Sequence, residues 1–410
     1  MKFKKRNNFD KNELDVAKRI IQSGSLSSYV AEWGRNFYGG SEIEKLEKKF
    51  SNYFNVKYSI AVNSWTSGLI CAVGALDIEP GDEILVCPWT MSASATAILH
   101  WNAIPVFVDI DPENFCIDPK EIEKKISKKT RAIMAVDIFG LSADMDKINS
   151  IAKKNNLKVI SDCAQAIGAK YKNKFAGTLG DIGGFSFNHH KHIHCGEGGL
   201  LVTNDKMLAE KMRMIANHAE AVMRKRTKFP LTNMIGYNFR LTELQAGILI
   251  EQLKKLKKIL KKQNILAKKL DSGLKDLIGI SVPKFDRKIK THSYYFYPII
   301  YDKTKHTKVI PRKKLVSQLR KKGLSMITEG YTNIHLLPVF QKRKAYGSKT
   351  SFPWKLNKKR YVYKKGICPI AEKYQDEMLI GLGIMNYDFS IKDVQFIIKV
   401  FKEVWFKNFK

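Results

Sequence analysis

Between residues 58 and 160 the chain repeats one pattern: a short apolar run, a polar or glycine break, then apolar positions spaced three and four apart. The runs 58–62, 84–86, 105–109, 132–136 and 158–160 read as strands, and 92–100, 119–126 and 145–154 as helices. These strands are apolar throughout instead of alternating, as expected where both faces of a sheet are covered. Strands alternating with helices predict an α/β fold with a mainly parallel sheet. In such sheets, ligands gather at the carboxyl ends of the strands.

Outside this block the pattern changes. Residues 13–22 and 41–53 read as helices, and 242–270 as one long amphipathic helix of the kind that carries a chain from one domain into the next. An aromatic strand over 294–300, a helix over 312–322 and a closing helix over 391–406 then suggest a smaller α+β domain. The expected division is a large α/β domain over 1–271 and a small one over 272–410, with the N-terminal helix a candidate to pack on the latter. Residues 341–365, rich in charge, glycine and proline, read as a surface loop or flap.

Composition adds bounds. A chain of 410 residues with 44% hydrophobic and 11% aromatic positions has enough apolar side chain for two globular cores. The formal charge of +33 suggests nucleic acid at first sight. Lysine dominates it, however, and the lysines scatter along polar helix faces, which reads as a solvated surface. Such a surface still favours a phosphorylated substrate. The six cysteines show neither close pairing nor metal-type spacing, which predicts reduced core thiols. No apolar run approaches the roughly 20 residues of a membrane span, and residues 1–7 lack a secretory pattern. A soluble protein of the cytoplasm is expected.

Candidate chemistry centres on Lys191, placed between the apolar 184–187 run and the glycine-rich 196–199 turn. A buried lysine there can lose its proton and attack a carbonyl carbon, as Schiff-base lysines do. Asp162 ends a buried strand, where it serves either as a cap or as an acid that keeps a pyridinium nitrogen protonated. Ser64, Trp65 and Thr66 open a helix after the first strand and offer hydroxyl and amide groups to an anion. Ser186 offers another hydroxyl, and Gln165 a polar contact. His189, His190, His192 and His194 crowd around Lys191 without a ligand spacing that points to metal, so none is expected.

Taken in order, 81–83, 105–109, 162–166, 185–187, 196–199 and 236–240 resemble the DegT/DnrJ/EryC1/StrS sugar aminotransferases, pyridoxal phosphate (PLP) enzymes of fold type I. The resemblance runs from about residue 24 to the end. It implies a seven-stranded-type sheet, Lys191 as the Schiff-base lysine and Asp162 as the pyridinium acid. Gln165, Ser186, Ser64, Trp65 and Thr66 then fall at cofactor contacts. It also implies a homodimer with shared active sites, Asn238 reaching a neighbouring subunit's cofactor. Relatives often carry an aromatic residue where this chain has Met91, so Met91 or Trp89 is expected to stack on the ring. His190, Trp89, Glu329 and His335 are candidate substrate contacts.

The implied activity moves an amino group from an amino acid, glutamate by resemblance, to a keto-sugar, usually nucleotide-linked, for surface polysaccharide or a related glycoconjugate. Two rivals stand beside it. One is a regulator of the same fold acting on nucleic acid. The other is a sugar dehydratase of the kind that carries histidine in place of the lysine; counting five residues on from Ser186 reaches Lys191, which disfavours it.

Overall fold

The computed structural model describes residues 2–32, 34–220, 235–357 and 361–409. Helices α1 (Lys11–Gln22) and α2 (Ser41–Phe54) precede strand β1 (Tyr58–Val62). The expected alternation follows: α3 (Trp65–Ala75), β2 (Glu83–Val86), α4 (Ser92–His100), β3 (Ile104–Phe107), α5 (Pro119–Lys125), β4 (Thr130–Val136), α6 (Met145–Lys154) and β5 (Lys158–Asp162). A hairpin of β6 (Lys170–Tyr171) and β7 (Lys174–Phe175) leads to β8 (Ile182–Ser186), β9 (Gly199–Thr203) and α7 (Lys206–Ala216).

The large sheet has seven strands in the order β1-β9-β8-β5-β4-β2-β3. Only β9 runs against the others, pairing antiparallel with both β1 and β8. Helices cover both faces. On one side Leu69, Val73, Ile98 and Ile148 pack against Ile84, Ile133 and Ile160. On the other, Ile43, Leu46 and Phe50 of α2 meet Phe185, Leu200 and Val202. Leu200 and Val202 belong to one core and Leu201 to the other, the two-residue period of a strand buried on both sides.

Helix α8 (Glu243–Leu274) opens with a reciprocal cap between Thr242 and Gln245 and crosses between the two cores. Its first half packs on α1 and α2. Leu266, Leu270 and Leu274 from its second half enter a separate core with β10 (Ile280–Ser281), β11 (Tyr297–Tyr301), α9 (Arg312–Lys321), β12 (Ile327–Glu329), β13 (Leu379–Leu382) and the closing helix, Ile391–Phe409. These four strands form an antiparallel sheet in the order β10-β11-β13-β12.

Three expectations change in detail. The aromatic strand begins at Tyr297, because 292–296 instead bond back to the large domain; Ser293 N donates to Gly140 O at 2.8 Å and Phe296 N to Phe139 O at 3.2 Å. The described residues of the 341–365 segment, which leave out 358–360, form a docked strap and not a free flap: Trp354, Tyr361 and Tyr363 are buried against the large core. Tyr363 Oη donates to Pro105 O at 2.8 Å and Tyr361 Oη to Glu83 Oε1 at 2.6 Å. Residues 334–371 thus return to the large core beyond the expected boundary at 271. The N-terminal helix packs on α8, whereas Phe3, eight residues before it, joins the smaller core. Among the described residues, no helix is long and apolar enough to cross a membrane.

Strand β8 is packed too tightly for side chains at two positions. A Cβ on Gly184 would lie 2.1 Å from Trp65 Cζ3 and 2.3 Å from Leu200 O; one on Gly183 would lie 1.9 Å from Gly177 O. Gly184→Ala should therefore lower unfolding free energy by about 2 kcal/mol or more. Gly34→Ala, at an extended residue with open space around it, should change it by less than about 0.5 kcal/mol. Urea unfolding of the two variants checks the contrast.

Candidate active site

The carboxyl ends of β2, β4, β5 and β8 meet the start of α3 around one cleft. Its walls carry Ser64, Trp65, Thr66, Met91, Asp162, Gln165, Ser186, His190 and Lys191, nine residues expected from the sequence.

Asp162 ends β5 with 3% of its surface exposed. Both carboxylate oxygens have a donor: Trp65 Nε1 to Oδ1 at 2.7 Å, and Ser94 Oγ to Oδ2 at 2.7 Å. Ser94 is itself paired with Thr90 Oγ1 at 2.6 Å. These bonds fix the plane of a buried acid without supplying a cation, so its charge remains open to a positive group in the cleft.

Lys191 lies on the irregular stretch between β8 and β9, 5% exposed. Burial lowers its pKa to about 8, opposed by the nearby Asp162 charge. Its Nζ sits 4.4 Å from the Tyr295 ring centroid. The neighbouring histidines take different places. His190 lines the cleft, with its pKa pushed down to about 4 by burial and then by Lys191. His192 is fully buried with Nε2 2.9 Å from Ser293 O. The register therefore puts the amine of Lys191, not the His192 ring, on the cleft wall.

Ser64 caps α3, accepting from Ser67 N at 3.1 Å. The first turn of α3 thus turns its free amides and the Thr66 side chain toward the cleft, joined by Ser186. Gln165 is tied on both sides: Phe139 N donates to its Oε1 at 2.9 Å, and its Nε2 donates to Tyr331 Oη at 3.1 Å.

Three expected contacts, Trp89, His335 and Glu329, fall elsewhere. Trp89 is completely buried, bonded to Asn333 Oδ1 at 2.8 Å and packed near Phe115 and Phe139, so it supports the wall from behind. Met91 is 63% exposed and lies on the cleft wall. His335 is buried against Phe107 and holds Glu372 at 2.9 Å. Glu329 pairs with Arg320 at 3.2 Å away from the cleft. Asn238 also lies off this chain's cleft, its carbonyl accepting from Asn63 Nδ2 at 3.4 Å. Thr90, Ser94, Asn188 and Glu197 line the site without having been singled out. Ser94 was the hardest to find, because it acts from inside a helix of small residues, three positions past Met91.

A carboxylate and an amine of lowered pKa, with a helix start and two serines on the same cleft, fit the acid, aldehyde and phosphate contacts that PLP requires. Comparison with known proteins agrees. The model of the DegT/DnrJ/EryC1/StrS aminotransferase family matches residues 26–360. GDP-perosamine synthase of Vibrio cholerae is 32% identical, over 84% of this chain and 88% of its own. A pleiotropic regulatory protein of Geobacillus stearothermophilus is 34% identical over 84% of each chain. The aminotransferase of Psychrobacter cryohalolentis superposes with a TM-score of 0.84 at 26% identity, over 99% of this chain and 100% of its own. The chain belongs to the DegT/DnrJ/EryC1/StrS aminotransferase family, whose cofactor is pyridoxal phosphate.

Proposed function

We propose that the protein transfers an amino group from an amino acid, glutamate by preference, to a nucleotide-linked keto-sugar, in the cytoplasm, for polysaccharide or glycoconjugate synthesis. The observation that carries this reading is the placement of Lys191 and Asp162 on one cleft. When bound, PLP supplies an aldehyde that condenses with amines and a ring that accepts an electron pair from the adjacent carbon. Asp162 would pair with the ring nitrogen and keep it protonated, with Trp65 and Ser94 fixing the carboxylate. Ser64, Thr66, Ser186 and the first amides of α3 would hold the phosphate. Lys191 Nζ as the neutral amine would take the proton from the amino donor's α-carbon and as the ammonium give it back to carbon. Its burial favours the neutral form needed for the first of these steps.

A homodimer completes the reading. Met91 is exposed at the cleft, and Asn238 lies off its own chain's site; both positions suit contacts that a second subunit supplies or receives. The preserved lysine speaks against sugar dehydration. A salt-sensitive DNA shift without amino transfer would favour the rival reading, a regulator acting on nucleic acid.

Lys191→Ala should reduce glutamate-dependent amination across a panel of keto-sugars by about 10³-fold or more. Borohydride trapping followed by peptide mapping should label Lys191 in the parent protein; label elsewhere rules the assignment out. Asp162→Asn keeps the shape and removes the charge, and should cost about 10²–10³-fold in kcat. Because the working base is the neutral amine, kcat should fall as pH drops through about 8 and level off above it. A steady-state pH profile checks the sign.

A further inference from the structure

The loop that carries Lys191 has a partner from the far end of the chain. Within the loop, Lys191 N donates to Asn188 O at 2.8 Å. The next two carbonyls, those of Lys191 and His192, project from irregular backbone, where neither strand nor helix supplies donors. Arg6 reaches both: its Nη2 donates to Lys191 O and, at 2.9 Å, to His192 O. Asn8 Nδ2 adds a second donor to His192 O at 3.0 Å.

The same guanidinium also grips the small domain. Its Nη1 donates to Met385 O at 3.3 Å, and Arg6 N donates to Asn386 O at 3.3 Å. The arm is anchored on either side of Arg6. Phe3 packs edge-on to Phe389 at 5.2 Å in the small-domain core, and Asp388 N donates to Lys4 O at 2.9 Å. Asn8 O accepts from Gln252 Nε2 at 3.1 Å and Lys255 Nζ at 2.8 Å on α8. Burial lowers the Arg6 pKa to about 10, so placing this cation here carries a desolvation cost. Among the described residues its side-chain donors go to main-chain carbonyls and to Met385 Sδ, not to a carboxylate. A fork of fixed geometry suits the holding of several carbonyls at once, which a lysine ammonium does less well.

We infer that Arg6 is a positioning residue for the reaction: it fixes the backbone at Lys191 and ties that position to the small domain. A side chain that must meet a reacting carbon loses rate steeply when its backbone shifts, about 10²-fold for a displacement near 1 Å. Without the fork, the Lys191 carbonyl loses its donor, the His192 carbonyl keeps only Asn8, and the lysine stem gains room to move. The inference rests on Lys191 being the amine that carries the cofactor.

The test uses cofactor-loaded enzyme and three variants: Arg6→Ala, Arg6→Lys and, as control, Lys5→Ala, whose side chain is exposed on the same arm. The absorbance of the lysine–cofactor linkage is titrated against pH, alongside kcat, KM and thermal melting. Arg6→Ala should displace the titration midpoint by about 0.5 pH unit or more and lower kcat at least tenfold, while KM for glutamate changes less than twofold. Arg6→Lys, which keeps the charge, should recover only part of both effects, and Lys5→Ala should match the parent. If Arg6→Ala does not hold cofactor, Arg6→Lys decides. A parent-like midpoint and kcat in the Arg6 variants, even with a lowered melting temperature, would overturn the positioning role. Borohydride mapping of the parent separates the two failures: label on Lys191 with unaffected Arg6 variants sinks only this inference, while label elsewhere sinks the assignment of Lys191.

Discussion

The arrangement depends on holding one carboxylate in place inside a sheet. Asp162 emerges at the end of β5, deep among apolar strands, where an isolated charge would be expelled or neutralised. An indole N–H and a serine hydroxyl hold it there, and both donors come from helix starts that follow strands of the same sheet. The positions of α3 and α4 are thereby coupled to the chemistry. So is the bareness of β8, since Gly184 leaves the space that the Trp65 ring occupies.

Lys191 poses the opposite problem. Burial weakens its hold on a proton, which helps a base, while the neighbouring carboxylate strengthens it, and burial is the larger effect. Its loop has no regular hydrogen-bond ladder to hold it. Remote parts of the chain supply the order instead: Ser293 meets His192, and the N-terminal arm meets the two carbonyls. The site is therefore ordered by segments as far apart as residues 6 and 293, although its walls come mostly from the first half of the chain.

Much of this was legible in the sequence. Continuous apolar runs marked five of the seven strands of the large sheet, though not the antiparallel β9, and the carboxyl-end rule put Asp162 and the 64–66 turn at the cleft. What the pattern could not carry was tertiary. Nothing local marks Ser94 as a carboxylate donor, since a serine in a small-residue helix reads as packing. His335 and Trp89 looked like pocket groups because polar and aromatic residues attract that reading, yet each is bonded within the interior, Trp89 Nε1 to Asn333 and His335 Nε2 to Glu372. The 341–365 segment misled through composition: its lysines and glycines suggested a loose loop, while three aromatics within it were sufficient to dock it.

That docked strap has a consequence for how the molecule behaves in a crowded solution. Strand β3 closes one side of the large sheet, and a bare flank there would invite another chain to add on by backbone pairing. Pro105 removes one N–H from that flank, and the Tyr363 hydroxyl occupies the Pro105 carbonyl. The strap thus doubles as a guard against self-association, and a truncation that loosened it would expose a template for fibre-like growth well away from the catalytic centre.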